Sequence, residues 1–156
     1  MSDSLPRTGR LAGIDYGTVR IGIAITDPAQ SLASPLEILT RRDTAQDERY
    51  FLRLAEQERL AGFVVGLPVH TNGEESQKSF ESRELAKWLG EITKLPVALF
   101  DERYTTAHAE ALLQDAGLTS KRRKARRDML AAQILLAAYL ESGRSNEAPR
   151  GLEDRT

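Results

Sequence analysis

The order of hydrophobic and polar positions divides the chain into short strands followed by alternating helices and strands. Two apolar runs, residues 11–14 and 21–25, flank a turn-forming stretch that begins with Asp15 and Gly17, and we expect a β-hairpin there. A third extended piece is expected at residues 36–39, since Pro35 pushes the residue before it towards extended geometry. The first part of the chain therefore predicts three sequential strands.

From residue 44 the pattern changes to helices and strands in alternation. Thr44 and Asp47 have the capping-box spacing and predict the start of a helix that ends near Leu60. Apolar residues recurring at i, i+3, i+4 and i+7 from Leu85 predict a second helix with one buried face. The remaining predicted elements are strands at residues 63–65 and 97–100 and helices at residues 106–115 and 128–142.

These elements predict an α/β fold with a mixed sheet, in which three antiparallel strands are followed by two parallel strands and helices flank the sheet. In such sheets, sites gather at the carboxyl ends of the strands. The length of 156 residues fits one domain, expected at residues 10–142. Residues 1–9 and 143–156 are polar and are expected to be flexible tails.

Composition limits the partners and metal sites that the chain can have. The formal net charge is -1, so total charge predicts neither an acidic nor a basic partner. Without cysteine there can be no disulfide and no thiolate metal site, and any metal must bind oxygen or histidine. The chain has no secretory signal and no apolar run approaching the roughly 20 residues of a membrane span, so no membrane association is expected and the expected location is the cytoplasm.

Acidic residues stand at the predicted ends of three elements. Asp15 follows the first strand, Asp101 and Glu102 follow the last strand, and Asp128 opens the last predicted helix. If the two strands are parallel neighbours, these carboxylates converge, and such a cluster needs a cation or protons to offset its repulsion. Each acid alone also has a structural reading as a turn residue, a helix cap or an ion-pair partner. Because side chains alternate along a strand, Asp101 and Glu102 are not expected to reach one ion together, and spacing alone does not choose between them.

Four stretches carry a family resemblance: residues 13–22 (GIDYGTVRIG), 64–68 (VVGLP), 101–106 (DERYTT) and 128–132 (DMLAA). In this order and spacing they resemble the YqgF family of bacterial RNase H-like nucleases. That family is described both as a nuclease that matures the 5′ end of pre-16S ribosomal RNA and as a Holliday junction resolvase. The resemblance implies that Asp15, Glu102 and Asp128 are its catalytic acids, and so selects Glu102 over Asp101.

The chain departs from the family pattern at a few positions. His70 and Asn72 stand where relatives usually have Asn and Asp after the Gly-Leu-Pro stretch, which leaves the role of that loop open. Tyr104 replaces a commoner Leu, and Arg127 replaces an apolar residue before Asp128. We interpret both as local variation in packing or charge.

The resemblance implies a metal-dependent mechanism. Phosphodiester hydrolysis needs a hydroxide nucleophile and neutralisation of charge on the phosphate and the leaving oxygen, which two metal ions about 3.5–4 Å apart can supply. The expected cofactors are two Mg²⁺ or Mn²⁺ ions, because carboxylates prefer hard cations. In this hypothesis Asp15 bridges the ions, while Glu102 and Asp128 each hold one.

A run of cations just before Asp128 gives the strongest charge asymmetry in the chain. Either the run is a solvated loop, or it binds the phosphate backbone of a nucleic acid. Its position beside a metal site favours binding. Arg20, in the first hairpin, is a secondary candidate for phosphate contact, and pairing with an acid is the structural alternative. The six cations of the run are Lys121, Arg122, Arg123, Lys124, Arg126 and Arg127.

Three other functions compete with maturation of ribosomal RNA. Residues 13–18 resemble the phosphate loop of sugar kinases and actin, although those proteins close two large domains around ATP. A non-catalytic RNA-binding module would bind without metal or cleavage. A resolvase would act on branched DNA, as a dimer with two sites for a symmetric junction. The predicted partner is nucleic acid, RNA before branched DNA, bound by a monomer or a homodimer.

Overall fold

A single β-sheet forms the centre of the molecule. The computed structural model describes residues 5–68, 76–105 and 120–142. Each predicted strand is present within these ranges, and so are the first, second and last predicted helices. The elements are β1 (Arg10–Asp15), β2 (Arg20–Thr26), β3 (Ala33–Thr40), α1 (Thr44–Gln57), β4 (Leu60–Leu67), α2 (Gln77–Thr93), β5 (Val97–Asp101), a short 3-10 helix (Glu102–Thr105) and α3 (Ser120–Glu141).

The five strands lie in the order β3-β2-β1-β4-β5. β1 pairs antiparallel with β2, which pairs antiparallel with β3, while β4 pairs parallel with both β1 and β5. The predicted α/β class, with three antiparallel and two parallel strands, is therefore confirmed. The carboxyl ends of β1, β4 and β5 consequently lie at one edge of the sheet.

Alternation along the strands divides the apolar side chains between two cores. Ala12 and Ile14 face the core on the side of α1 and α2, whereas Leu11 faces the core on the side of α3. The third helix approaches the backbone of β1 very closely. A Cβ added at Gly13 would lie 2.9 Å from the Cβ of Leu136 and 3.1 Å from the carbonyl oxygen of Ala132. A glycine at position 13 therefore lets α3 pack directly over β1.

The second helix forms as its apolar period predicted. Leu85 and Leu89 are buried, and Trp88 and Ile92 pack against the same core. Its amino terminus is capped by the side chain of Ser76, which accepts a hydrogen bond from the backbone N–H of Ser79.

The first helix begins at Thr44 as predicted, but its capping residue and its end differ from the prediction. Asp43, not Thr44, caps its amino terminus by accepting a hydrogen bond from the backbone N–H of Gln46. The helix ends at Gln57, and Leu60 belongs to β4. Arg59, with a φ of 53°, provides the left-handed turn between the two elements.

The last helix begins eight residues earlier than predicted. It starts at Ser120, so Asp128 lies inside the helix and does not open it. The six-cation run is also helical, because Lys, Arg and Ala favour helix and nothing between residues 120 and 128 breaks it. The helix predicted at residues 106–115 lies outside the described residues.

Part of the predicted amino-terminal tail packs against the domain. Leu5 is buried beside Phe100 and α3. The side-chain amide of Gln30, itself buried, donates hydrogen bonds to the carbonyl oxygens of Pro6 and Gly9 at 3.0 and 2.9 Å. The expectation of a flexible tail therefore fails for residues 5–9, because one buried leucine and two backbone acceptors attach this segment to the domain.

Candidate active site

Asp15 stands at the carboxyl end of β1, on the sheet face that α3 covers. The alternation that turns Leu11 towards α3 places Asp15 on the same face, four residues later. Asp15 is partly buried and pairs across the strands with Gly22 of β2. The central position of β1 in the sheet gives this carboxylate a rigid support.

Glu102 follows β5 and reaches back over the end of β4. A Cβ added at Gly66 would lie 3.2 Å from both Cγ and Cδ of Glu102, and closer still to its Oε2. The side chain of Glu102 therefore fills the space that the glycine leaves. Since β4 lies between β1 and β5, this position brings Glu102 towards Asp15 across a single strand.

The electrostatic state of Glu102 reflects this position. The pKa of Glu102 is raised from its ordinary value of 4.5 to about 7, mainly by burial and then by the negative charges of Asp15 and Asp101, while the positive charge of Lys78 lowers it. A carboxyl group with these surroundings is poorly compensated when ionised. The pair of Asp15 and Glu102 thus forms a site that favours a proton or a cation.

Asp101, the neighbour of Glu102, has a different environment. Its carboxylate accepts hydrogen bonds from the backbone N–H of Arg103 at 2.8 Å and from the guanidinium of Arg103 at 2.6 and 2.8 Å. The alternation of side chains along the strand did not decide which of these two acids belongs to the site. In the structure Asp101 is paired with Arg103, and Glu102 is the acid that lies near Asp15.

Three residues that the sequence pattern did not predict, Tyr16, Arg41 and Glu81, hold the end of β1. The Tyr16 hydroxyl donates a 2.6 Å hydrogen bond to Glu81 of α2. Arg41, which precedes α1, donates to the Tyr16 hydroxyl at 3.3 Å and to the carbonyl oxygen of Gly17 at 3.4 Å. Its guanidinium also lies 5.4 Å from the centre of the Tyr16 ring. These contacts fix the turn that directly follows Asp15.

A cleft of about 240 Å³ opens beside Asp15. Arg20, the first residue of β2, and Lys78, in the first turn of α2, both line it. Arg20 was predicted from its place in the hairpin, whereas Lys78 was not. A signal for Lys78 was available, because a helix that follows a parallel strand begins at the carboxyl edge of the sheet.

For the third predicted acid, Asp128, only the backbone position is described. The backbone of Asp128 lies in α3, one helical turn before Ala132, which contacts Gly13 of β1. The side chains of residues 120–129 lie outside the description, as do His70 and Asn72. Among the side chains that are described, no three acids or histidines form a metal-binding group. In the same part of the chain, no helix is long and apolar enough to cross a membrane.

The sheet order, with carboxylates at the ends of β1 and β5, defines the class of protein. It is that of the RNase H-like nucleases, hydrolases that act on phosphodiester bonds. The family described as "RuvX: Holliday junction resolvase" matches residues 9–142. The chain belongs to this family, the RuvX or YqgF family, in agreement with the resemblance found in its motifs.

Similar proteins support this assignment over nearly the whole chain. A protein of Rhodopirellula baltica named "Putative pre-16S rRNA nuclease" is 52% identical over 156 residues, covering 99% of this chain and 90% of its own length. One of the same name from Syntrophomonas wolfei is 40% identical over 134 residues, covering 86% of this chain and 95% of its own length.

The fold is also shared with a solved structure. RuvC of Thermus thermophilus, in complex with a Holliday junction substrate, has a TM-score of 0.55 at 17% identity. The similarity covers 86% of this chain and 96% of RuvC. At this identity the similarity concerns the fold.

Proposed function

We propose that this protein is a metal-dependent nuclease that matures the 5′ end of pre-16S ribosomal RNA in the cytoplasm. The observation that carries the proposal is the convergence of Asp15 and Glu102 across the end of β4, with Gly66 making room for the second carboxylate. The names of the relatives at 52% and 40% identity support the substrate.

The donor set fits a divalent cation. Two neighbouring carboxylates, one with its pKa raised by burial and by the charge of the other, attract a hard cation. Asp15 and Glu102 would hold Mg²⁺ or Mn²⁺ together with Asp128. When bound, two such ions supply a hydroxide nucleophile and stabilise the charge on the phosphate and the leaving oxygen. The chain's own contribution would be a set of oxygen ligands at the end of β1, directly after β5 and on α3.

The position of α3 supports the assignment of Asp128. Ala132 contacts β1 two residues before Asp15, and Asp128 is four residues away from Ala132, about 6 Å along the helix axis. The six cations from Lys121 to Arg127 precede Asp128 on the same helix. We propose that they bind the phosphate backbone of the substrate, with Arg20 contributing from the cleft beside Asp15.

Cleavage of a four-way DNA junction is the second candidate. The description of the matched family as a Holliday junction resolvase favours it. A resolvase would need two sites related by symmetry, so this candidate requires a homodimer on the junction, whereas cleavage of precursor RNA does not.

A cleavage panel tests the proposal. The substrates are precursor 16S RNA, single-stranded RNA, duplex RNA and a four-way DNA junction, each with Mg²⁺, with Mn²⁺ and with EDTA. We expect metal-dependent cleavage of precursor RNA at its 5′ end, and a loss of rate on the order of 10²-fold or more in Asp15→Asn and Glu102→Gln, since each removes a metal ligand.

Asp101→Asn is the matched control for Glu102→Gln, because it alters the adjacent acid, which pairs with Arg103. It should keep a rate close to that of the wild type. Wild-type cleavage in EDTA, or full activity of Asp15→Asn, would contradict the proposal. If the protein is a dimer and prefers the four-way junction, the second candidate function replaces the proposed RNA substrate.

A further inference from the structure

Lys78 is a cation of the cleft that the proposed catalytic machinery does not use. It lies in the first turn of α2, is exposed, and lines the same cleft as Asp15 and Arg20. We propose that the ammonium group of Lys78 binds a backbone phosphate of the nucleic-acid strand that enters this cleft. The inference deepens the proposed function and rests on it, because it requires that the cleft receives nucleic acid.

Lys78 lines the same cleft as Asp15, one of the two acids of the candidate site. The cleft beside Asp15 has a volume of about 240 Å³, and Lys78 and Arg20 both line it. The charge of Lys78 also acts on Glu102, since it lowers the pKa that burial and Asp15 raise. Lys78 therefore stands within electrostatic reach of both carboxylates.

The surroundings of Lys78 favour an anion. Its ammonium group is a compact charge on a flexible stem, suited to a phosphate oxygen. α2 begins at the same place, so the partial positive charge of its amino terminus adds to that of the side chain. Arg20 brings a second cation to the same cleft from β2. A strand that presents a phosphate to Asp15 would thus pass within reach of Lys78.

A purely structural role makes a different prediction. If Lys78 only compensates the two carboxylates, its removal should change the stability of the metal-free protein and its affinity for Mn²⁺, and leave nucleic-acid binding unchanged. If Lys78 binds a phosphate, its removal should weaken nucleic-acid binding and reduce the dependence of that binding on salt. The two roles are therefore separated by a binding experiment that requires no catalysis.

The test is equilibrium binding of a labelled 20-nucleotide single-stranded RNA, and of a four-way DNA junction, by the full chain in EDTA at several KCl concentrations. For Lys78→Ala we expect the slope of log K against log salt to fall in magnitude by about 0.7–0.9, the value for one lost phosphate contact. Affinity in 50 mM salt should fall about fivefold to tenfold. Lys78→Arg should restore both.

Lys87→Ala is the matched control. It removes an exposed lysine of the same helix, nine residues further along and so on the opposite face of α2. It should bind as the wild type does. An unchanged slope in Lys78→Ala, or an equal decrease in Lys87→Ala, would overturn the inference.

The outcome is distinguishable from failure of the proposed function. If the wild type cleaves none of the panel substrates but Lys78→Ala lowers the salt slope, the nuclease proposal fails and the phosphate contact stands. If the wild type cleaves RNA and the slope is unchanged, the nuclease stands and the phosphate contact is rejected.

Discussion

The carboxyl ends of β1 and β5 each place an acid at the same edge of the sheet, but the two acids are held in different ways. Asp15 belongs to a central strand, and the turn after it is fixed by the hydrogen bonds of Tyr16 and Arg41. Glu102 follows an edge strand, begins a short 3-10 helix and depends on the space above Gly66. One acid is positioned by backbone and hydrogen bonds, whereas the other is positioned by packing.

This difference has an electrostatic consequence. Packing over Gly66 removes water from Glu102, and the resulting rise in pKa is reinforced by Asp15. A site built in this way keeps one acid ready to exchange its proton for a cation. The comparison therefore predicts that the electrostatic cost of the site falls mainly on Glu102. The geometry of the site depends on the supports of both acids.

The largest expected effect is the pH dependence of stability in EDTA, compared between the wild type and Glu102→Gln. Because the folded pKa of Glu102 is about 7 against an ordinary 4.5, the metal-free fold holds its proton more tightly than the unfolded chain. The stabilisation is complete below about pH 4.5 and is lost as pH rises through 7. At pH 8 we expect Glu102→Gln to be more stable by about 1–3 kcal/mol, measured by urea unfolding.

Addition of Mn²⁺ should reverse that order, since the cation stabilises the ionised carboxylate of the wild type and Gln cannot replace it. Asp101→Asn serves as the control, because Asp101 already has Arg103 as a partner. A stability difference between the wild type and Glu102→Gln that stays constant from pH 5 to pH 8 would show that burial of Glu102 carries no electrostatic cost.

Gly66→Ala tests the packing half of the comparison. The new Cβ would lie 3.2 Å from Cγ and Cδ of Glu102 and displace its carboxylate, while the hydrogen bonds of Tyr16 and Arg41 after Asp15 remain. We expect about a tenfold loss of Mn²⁺ affinity and of cleavage rate, as for other changes in the support of a metal ligand. Isothermal titration calorimetry and the cleavage assay measure the two effects.

Gly90→Ala is the matched control for this substitution. The nearest atoms to a Cβ at Gly90 are 3.6 and 3.7 Å away, which is ordinary contact distance, and the residue lies inside α2. It should raise stability by about 0.5–1 kcal/mol and leave metal binding unchanged. Equal metal affinity in Gly66→Ala and the wild type would mean that Glu102 is not held by the space above Gly66.

The periodicity of apolar residues predicted most of the fold, because burial on a helix face or a strand face leaves a direct trace in sequence. It placed Leu85 and Leu89 correctly on a buried helix face. It failed where that trace is absent or misleading. Leu60 continues the apolar pattern of α1 although it begins β4, and the cationic start of α3 has no apolar stripe to mark it as helix.

The candidate site was less predictable than the fold. Strand ends could be located from sequence, so Asp15 and the Asp101–Glu102 pair were found, but the choice between the two neighbours needed the resemblance. Lys78 and Arg41 were missed because their roles depend on which elements begin at the same edge of the sheet. Such contacts join residues far apart in the chain, so the order of the elements can indicate them but no short-range pattern does.

Tyr16→Phe should give the smallest effect and tests the hydrogen-bonded half of the comparison. It removes the hydroxyl that donates to Glu81 and accepts from Arg41, and it keeps the buried ring. We expect a loss of about 1 kcal/mol in unfolding free energy, typical of one hydrogen bond, and a decrease of a few fold in cleavage rate with unchanged Mn²⁺ affinity.

Tyr50→Phe is the control, because the Tyr50 hydroxyl donates to Glu37 on the exposed surface and neither residue lines the cleft beside Asp15. It should lose less stability than Tyr16→Phe and no activity. If Tyr16→Phe cleaves at the wild-type rate, the backbone of the central strand β1 suffices to position Asp15. The contrast with Glu102 would then lie between a central strand and an edge strand, with no role for the hydrogen bonds that follow Asp15.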